Sequence, residues 1–212
     1  MNIKTERLSA DTIFEILRDR ICLLEYPPDT VLREATLAAE FGVSRTPLRA
    51  VLQRLAYGGL IESRDGVGTI VTDLSAGDLN DIYQMRLKMA EMIGQMSPKT
   101  FTKTHKETAQ ALLERAKQAQ QNFTIDDYWQ INHSLHHLIL SIIGNSALAQ
   151  MWDHYYYLAV RIWYQKAQET PDEVADLLVA ELREVVRAIN ENDATALGFS
   201  QRNYIAYGFA RL

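Results

Sequence analysis

Apolar positions at Leu48, Val51, Leu52 and Leu55 follow an i, i+3, i+4, i+7 spacing, which predicts a helix with one buried face. Ser44 is a suitable N-cap for it, and Pro47 is acceptable because it falls in the first turn. A shorter helix is predicted just before, over about Glu34–Phe41, with Leu37, Ala38 and Phe41 on one side. Gly42 ends it, because glycine readily takes the left-handed conformation that a helix C-terminus needs. An earlier helix is expected over about Asp11–Leu24, burying Ile13, Leu17, Ile21 and Leu24, after a polar segment 1–9 expected to fray. Tyr26-Pro27-Pro28-Asp29 turns the chain, and Val31-Leu32-Arg33 suits a short edge strand. Beyond the third helix the period changes: Leu60–Ser63 and Thr69–Thr72 are short β-prone runs around Arg64-Asp65-Gly66-Val67-Gly68, a hairpin signal.

At Asp73–Asp78 the period becomes helical and stays so. Six helices are predicted at about 76–96, 103–121, 125–143, 147–168, 172–190 and 194–211. Thr124–Asp127 and Thr170–Glu173 read as capping boxes, the second with Pro171 at the first helical position. The expected fold is mainly α: an N-terminal winged helix-turn-helix with a small β-hairpin over 1–73, a connector at 74–78, and an all-α bundle over 79–212.

The polar face of the third helix then carries the chemistry. Arg45, Thr46, Arg49 and Gln53 share the side opposite the apolar stripe. Arginine's planar fork of donors matches guanine or phosphate bidentately, and Ser44 and Thr46 stand at a helix N-terminus, where a phosphate is favoured. Arg33, just ahead of the second helix, is a further phosphate candidate, and Gly66 and Gly68 form the tip of the wing. The chain carries a net charge of −5, yet Phe41–Ile61 holds three arginines and no acidic residue, so basic charge is placed locally. A lone Arg-xxx-Arg would read as a solvated helix face. The hairpin directly behind it points instead to double-stranded DNA read by a second helix in the major groove.

These residues resemble the GntR family of bacterial transcription regulators. The resemblance is carried by Leu37-Ala38, by Gly42-Val43-Ser44-Arg45-Thr46-Pro47-Leu48-Arg49, by Leu55 and Gly59-Leu60-Ile61, and by Gly68 and Val71 of the wing. Ala50 stands where the family usually has glutamate, and Val67 where a basic wing residue is common. The helical segment is similar to the FadR-like (FCD-domain) branch, in its shorter six-helix (VanR-like) variant. That likeness rests on Asp78-Leu79, Tyr83, Arg86, the Asn132-xxx-His136 spacing, Gly144-Asn145, Ala188-Ile189 and Asp193.

The resemblance implies a homodimer, usually a repressor, whose operator affinity is altered by a small molecule bound in the bundle. It also implies a divalent metal held by one aspartate and three histidines in many members of the branch. Here the four positions correspond to Asn132, His136, Leu182, and Asn203 or Tyr204, so no metal or other cofactor is expected. His133 and His137 form a second i, i+4 pair on another face and read as exposed or partly packed histidines. Without a metal the pocket should be polar. Arg86 matches an arginine of the branch's first bundle helix, and Arg161 lies among Trp152, Tyr155, Tyr156, Trp163 and Tyr164. Either could grip an anion such as a carboxylate, with Asn132, His136 and Tyr204 as polar partners.

Composition narrows the remaining classes. At 212 residues, 47% of them apolar, the chain suits two modest soluble domains, and one cysteine (Cys22) excludes an internal disulfide. No signal peptide or membrane-spanning run is visible, so the protein is expected to be cytoplasmic, with no membrane partner. No nucleophile–base pair, phosphate loop or complete metal triad is visible, so an enzyme is not expected. A regulator whose bundle serves only for dimerisation stays open beside the effector-controlled one.

Overall fold

The structure, a computed structural model, describes residues 8–210 and divides into two compact units, Met1–Ser75 and Ala76–Leu212. In the first unit α1 (Ala10–Cys22), α2 (Glu34–Glu40) and α3 (Arg45–Tyr57) precede β1 (Ile61–Arg64) and β2 (Gly68–Val71). α1 starts earlier than the apolar pattern suggested, because the Ser9 side chain accepts from the Thr12 N–H at 3.0 Å. Only residues 8 and 9 of the segment expected to fray are described. The helix also stops sooner: Leu24 sits at φ 59°, outside the helix and half-buried, and Cys22 takes the buried place beside Ile13, Leu17 and Ile21.

Gly42 has φ 63° and turns the chain from α2 into α3. Leu48, Val51, Leu52 and Leu55 are buried, so the turn and stripe together fix which face of α3 stays in solvent. The hairpin is antiparallel, pairing Ile61 with Val71 and Arg64 with Gly68. Val31 bridges Ile70, while the Leu32 N–H donates to the Thr69 carbonyl at 2.8 Å, so the segment expected as an edge strand pairs with the wing.

The second unit packs α4 (Ala76–Met92), α5 (Lys103–Gln121), α6 (Ile125–Ile142), α7 (Ser146–Glu169), α8 (Pro171–Glu191) and α9 (Ala194–Phe209). Among the described residues α5 packs on α6 and α8, α4 on α7 and α9, and α8 on α9. Residues 76–78, placed in the connector but also at the start of the helix predicted from 76, form the first turn of α4, where Asp78 complements the helix dipole. α4 ends at Met92 rather than near 96, because Gly94 lies where α9 crosses it: a Cβ there would sit 2.5 Å from Thr195 Cα.

The side chains of Thr124, Asn145 and Asp193 cap α6, α7 and α9. Thr170 does not: it ends α7 and begins α8 at once, and its hydroxyl donates back to the Lys166 carbonyl at 3.3 Å. A capping box forms instead at Thr102, where the imidazole of His105 plays the part usually taken by Glu or Gln. Among the described residues no helix is long and apolar enough to cross a membrane.

Candidate functional site

Two surfaces combine polar chemistry with a built scaffold. The first is the solvent face of α3, where Arg45, Thr46, Arg49 and Gln53 are all exposed. Ser44 occupies the N-cap without a side-chain capping bond, which leaves its hydroxyl and the first-turn N–H groups for an outside acceptor. Arg49 Nε donates to Glu34 Oε2 at 2.9 Å, so α2 aims this arginine. Such an exposed pair is worth little and exchanges readily for a phosphate or a base.

Two arginines that the sequence did not single out are held by distant carboxylates, and no local pattern signals either. Arg54 meets Asp11 at 2.7 Å and lies 4.2 Å over the Phe14 ring, and Arg64, beside the turn of the wing, meets Asp29 at 2.9 Å. Among the described residues Arg33 and Arg45 form no ion pair, and both are exposed. Gly66 at φ 76° and Gly68 at φ 112° shape an exposed wing tip.

The second surface is a partly open cavity inside the bundle, about 70 Å³ in volume. Arg86 of α4, Asn132 and His136 of α6, Trp152, Tyr156 and Trp163 of α7, Glu181 of α8, and Gln201 and Tyr204 of α9 line it. Four of the five side chains expected at an effector site therefore meet: Arg86, Asn132, His136 and Tyr204. Arg161 is buried at 2% exposure but is not part of the lining.

Arg86 is 7% exposed, its Nε and Nη1 make no hydrogen bond, and its guanidinium carbon lies 5.5 Å from the Tyr83 ring centroid. Burial lowers its pKa, although Tyr83, Tyr156 and Glu181 pull the other way. Trp152 Nε1, also in the lining, is another buried donor with no acceptor. Glu181 Oε1 accepts from Gln201 Nε2 at 2.9 Å. Burial pushes the Glu181 carboxyl up to about 7, against the Gln201 hydrogen bond and the charge of Arg86. His136 stacks on Tyr156 with centroids 3.7 Å apart and holds Asp153 Oδ1 at 2.8 Å; burial nonetheless lowers it to about 4.

Glu181 and Gln201 were missed by the sequence reading. That reading followed the ligand positions of a metal site onto Leu182 and onto Asn203 or Tyr204, whereas Leu182 is fully buried and outside the lining.

Residues 9–71 match the family described as bacterial regulatory proteins of the gntR family, and residues 81–201 match the FCD domain. The chain is an FCD-domain member of the GntR family. This GntR regulator is 24% identical to the probable D-xylose utilization operon transcriptional repressor of Paenarthrobacter nicotinovorans, over 97% of this chain and 91% of that one. It is 28% identical to the gluconate operon transcriptional repressor of Bacillus subtilis, over 65% of this chain and 56% of that one. Its fold is similar to E. coli McbR/YncC, with a TM-score of 0.81 at 18% identity and 95% of both chains covered. A GntR structure from Rhodococcus sp. RHA1 follows at 0.71 and 18%, covering 95% of this chain and 96% of that one. Membership makes the chain a transcription regulator and not an enzyme.

The residues of this regulator do not fit the metal carried by many of its branch. Asn132 is a neutral amide, Leu182 has no donor atom, and His136 Nε2 is engaged by Asp153. Among the described residues no group of three His, Cys, Asp or Glu side chains converges on one point. His133 and His137 do meet each other, Nε2 to Nε2 at 3.1 Å, on a face where His137 is exposed.

The paired shifts in the cavity predict an unusual pH profile. Glu181 keeps its proton up to about pH 7 when folded and loses it near 4.5 when unfolded, so its contribution to stability is lost as pH rises between those values. His136 acts oppositely: its contribution is full above 6.5 and lost on acidification toward 4. The two slopes oppose each other across pH 4.5–6.5. Glu181→Gln should therefore raise stability at pH 8 by about 1–3 kcal/mol and leave a profile that climbs with pH. Urea unfolding of the whole chain from pH 4 to 8 measures this; equal profiles for parent and variant would refute it.

Proposed function

We propose that the protein is a homodimeric repressor that reads an operator with α3 and releases or tightens it when an anionic small molecule enters the FCD cavity. The observation that carries this reading is Arg86: a buried cation with two unused N–H groups on the wall of a cavity demands an acceptor-rich, negatively charged guest. The repressor assignment is supported by the relatives named as operon repressors. In this reading Arg45, Arg49, Thr46 and Gln53 meet base edges or phosphates in the major groove, Ser44 and Arg33 meet phosphates, and Gly66 and Gly68 let the wing lie against the backbone. A two-fold dimer would set both recognition helices on a pseudo-palindrome. α4 carries Arg86 and begins at the residue that follows the first unit, so a guest that shifts α4 has a covalent route to the DNA-reading heads.

Arg45→Ala and Arg49→Ala should each weaken specific operator binding by about 1–3 kcal/mol and flatten discrimination between sites. Arg45 should show the larger loss, because Arg49 gives up its Glu34 partner on binding. Anisotropy titrations against operator and scrambled duplexes check this, and parent-like binding by both variants would remove α3 as the reading helix. Titrating carboxylates while following operator affinity tests the effector half; a bundle that serves only for dimerisation would leave that affinity unmoved by every one of them.

A further inference from the structure

The cavity has two unlike poles. On α4, Arg86 presents Nε and Nη1 with no acceptor. On α8, Glu181 lines the cavity and spends Oε1 on Gln201, while Oε2 has no hydrogen-bond partner among the described residues. Among the described residues the two form no ion pair, yet each favours the charged form of the other. Both line the same cavity. No cluster of metal-binding side chains among the described residues supplies a cation that would satisfy Glu181.

We propose that the cavity takes a bifunctional small molecule, its anionic group gripped by Arg86 and its hydrogen-bond donor, a hydroxyl or an ammonium, taken by Glu181. The proposal rests on the reading that the bundle binds an anionic effector, and it adds Glu181 as the residue that sets specificity. A plain carboxylate satisfies Arg86 but brings a second negative charge beside Glu181 and gives Oε2 nothing to accept. A plain amine or polyol leaves the Arg86 guanidinium buried without an acceptor. A molecule carrying both groups satisfies both poles, and Gln201 fixes the carboxylate so that only one oxygen is free for the guest. Asn132 and Tyr204, also in the lining, add neutral polar partners between the poles.

The test is calorimetric titration of the full chain at pH 8 with butanoate, pentanoate and hexanoate, and with their ω-hydroxy and ω-amino counterparts. At the best chain length the ω-substituted acid should bind at least tenfold tighter than its unsubstituted parent. Glu181→Met should erase that preference, and Arg86→Gln should abolish binding of all three series. Glu181→Gln separates the two donors: with the amide oxygen held by Gln201 its NH2 faces the guest, so an ammonium guest loses its advantage, whereas a hydroxyl guest keeps it by accepting from that NH2. If Glu181→Met does not fold, the comparison of substituted with unsubstituted acids on the parent chain decides alone. Equal or tighter binding of the unsubstituted acids overturns the role of Glu181 and leaves the anionic-effector reading standing. Binding by no acid, or binding unchanged in Arg86→Gln, overturns both.

Discussion

Arg86→Ala is expected to abolish the response of operator binding to carboxylates while leaving effector-free operator affinity within about twofold. The guanidinium is buried, holds two unused donors on the cavity wall and makes no ion pair among the described residues. Its removal deletes a desolvated, charge-assisted contact to the guest, a loss of about 2–5 kcal/mol, or roughly 30- to several-thousand-fold in affinity. Effector-free folding should suffer little, because the variant also relieves the cost of a buried charge without a counter-ion. What is given up is the contact with Tyr83, whose ring centroid lies 5.5 Å from the guanidinium carbon, and the favourable charge interactions with Tyr156 and Glu181. Operator anisotropy with and without the tightest-binding carboxylate, paired with a thermal melt, reads both quantities. Early melting together with lost operator binding would make Arg86 a structural residue of the bundle.

The crossing of α4 and α9 should tolerate added side chains poorly. A Cβ on Gly198 would stand 2.6 Å from the Ala90 carbonyl oxygen, and one on Gly94 would stand 2.6 Å from the Ala194 carbonyl oxygen. The obstacles are backbone atoms, which cannot rotate away as a flexible side chain would. Gly198→Val is therefore expected to cost about 3 kcal/mol in urea unfolding. Gly198→Ala should cost less, because alanine regains about 1 kcal/mol of helix propensity. Gln201 lies one turn beyond Gly198, so separating the helices also carries Gln201 and Tyr204 away from Arg86 and should weaken carboxylate binding in the same variant. Parent-like stability of Gly198→Val would mean that the two helices do not meet backbone to backbone.

Local rules in the sequence determined the reading head. The apolar spacing from Leu48 to Leu55, a glycine at the αL position 42 and an N-cap at Ser44 act within one or two helical turns. They place Arg45, Thr46, Arg49 and Gln53 in solvent whatever the rest of the chain does. The six-helix period of the bundle was legible for the same reason, as was the cap at Thr124. Where a cap failed, at Thr170, the residue had to serve two helices, a conflict that only the joined helices create.

The cavity was only half legible. Arg86, Asn132, His136 and Tyr204 could be named from motif positions, but the lining is a meeting of α4, α6, α7, α8 and α9, and rotation about each helix axis decides which neighbour faces inward. One position of rotation separates Leu182, packed in the core, from Glu181, which faces the cavity and pairs with Gln201 twenty residues away. The same dependence holds Arg161 out of the lining and ties Arg54 to Asp11 across 43 residues. Periodicity fixes a helix and its buried face. Which polar side chains then meet, and which are left buried without a partner, depends on how five helices turn toward one another, and that only the tertiary structure decides.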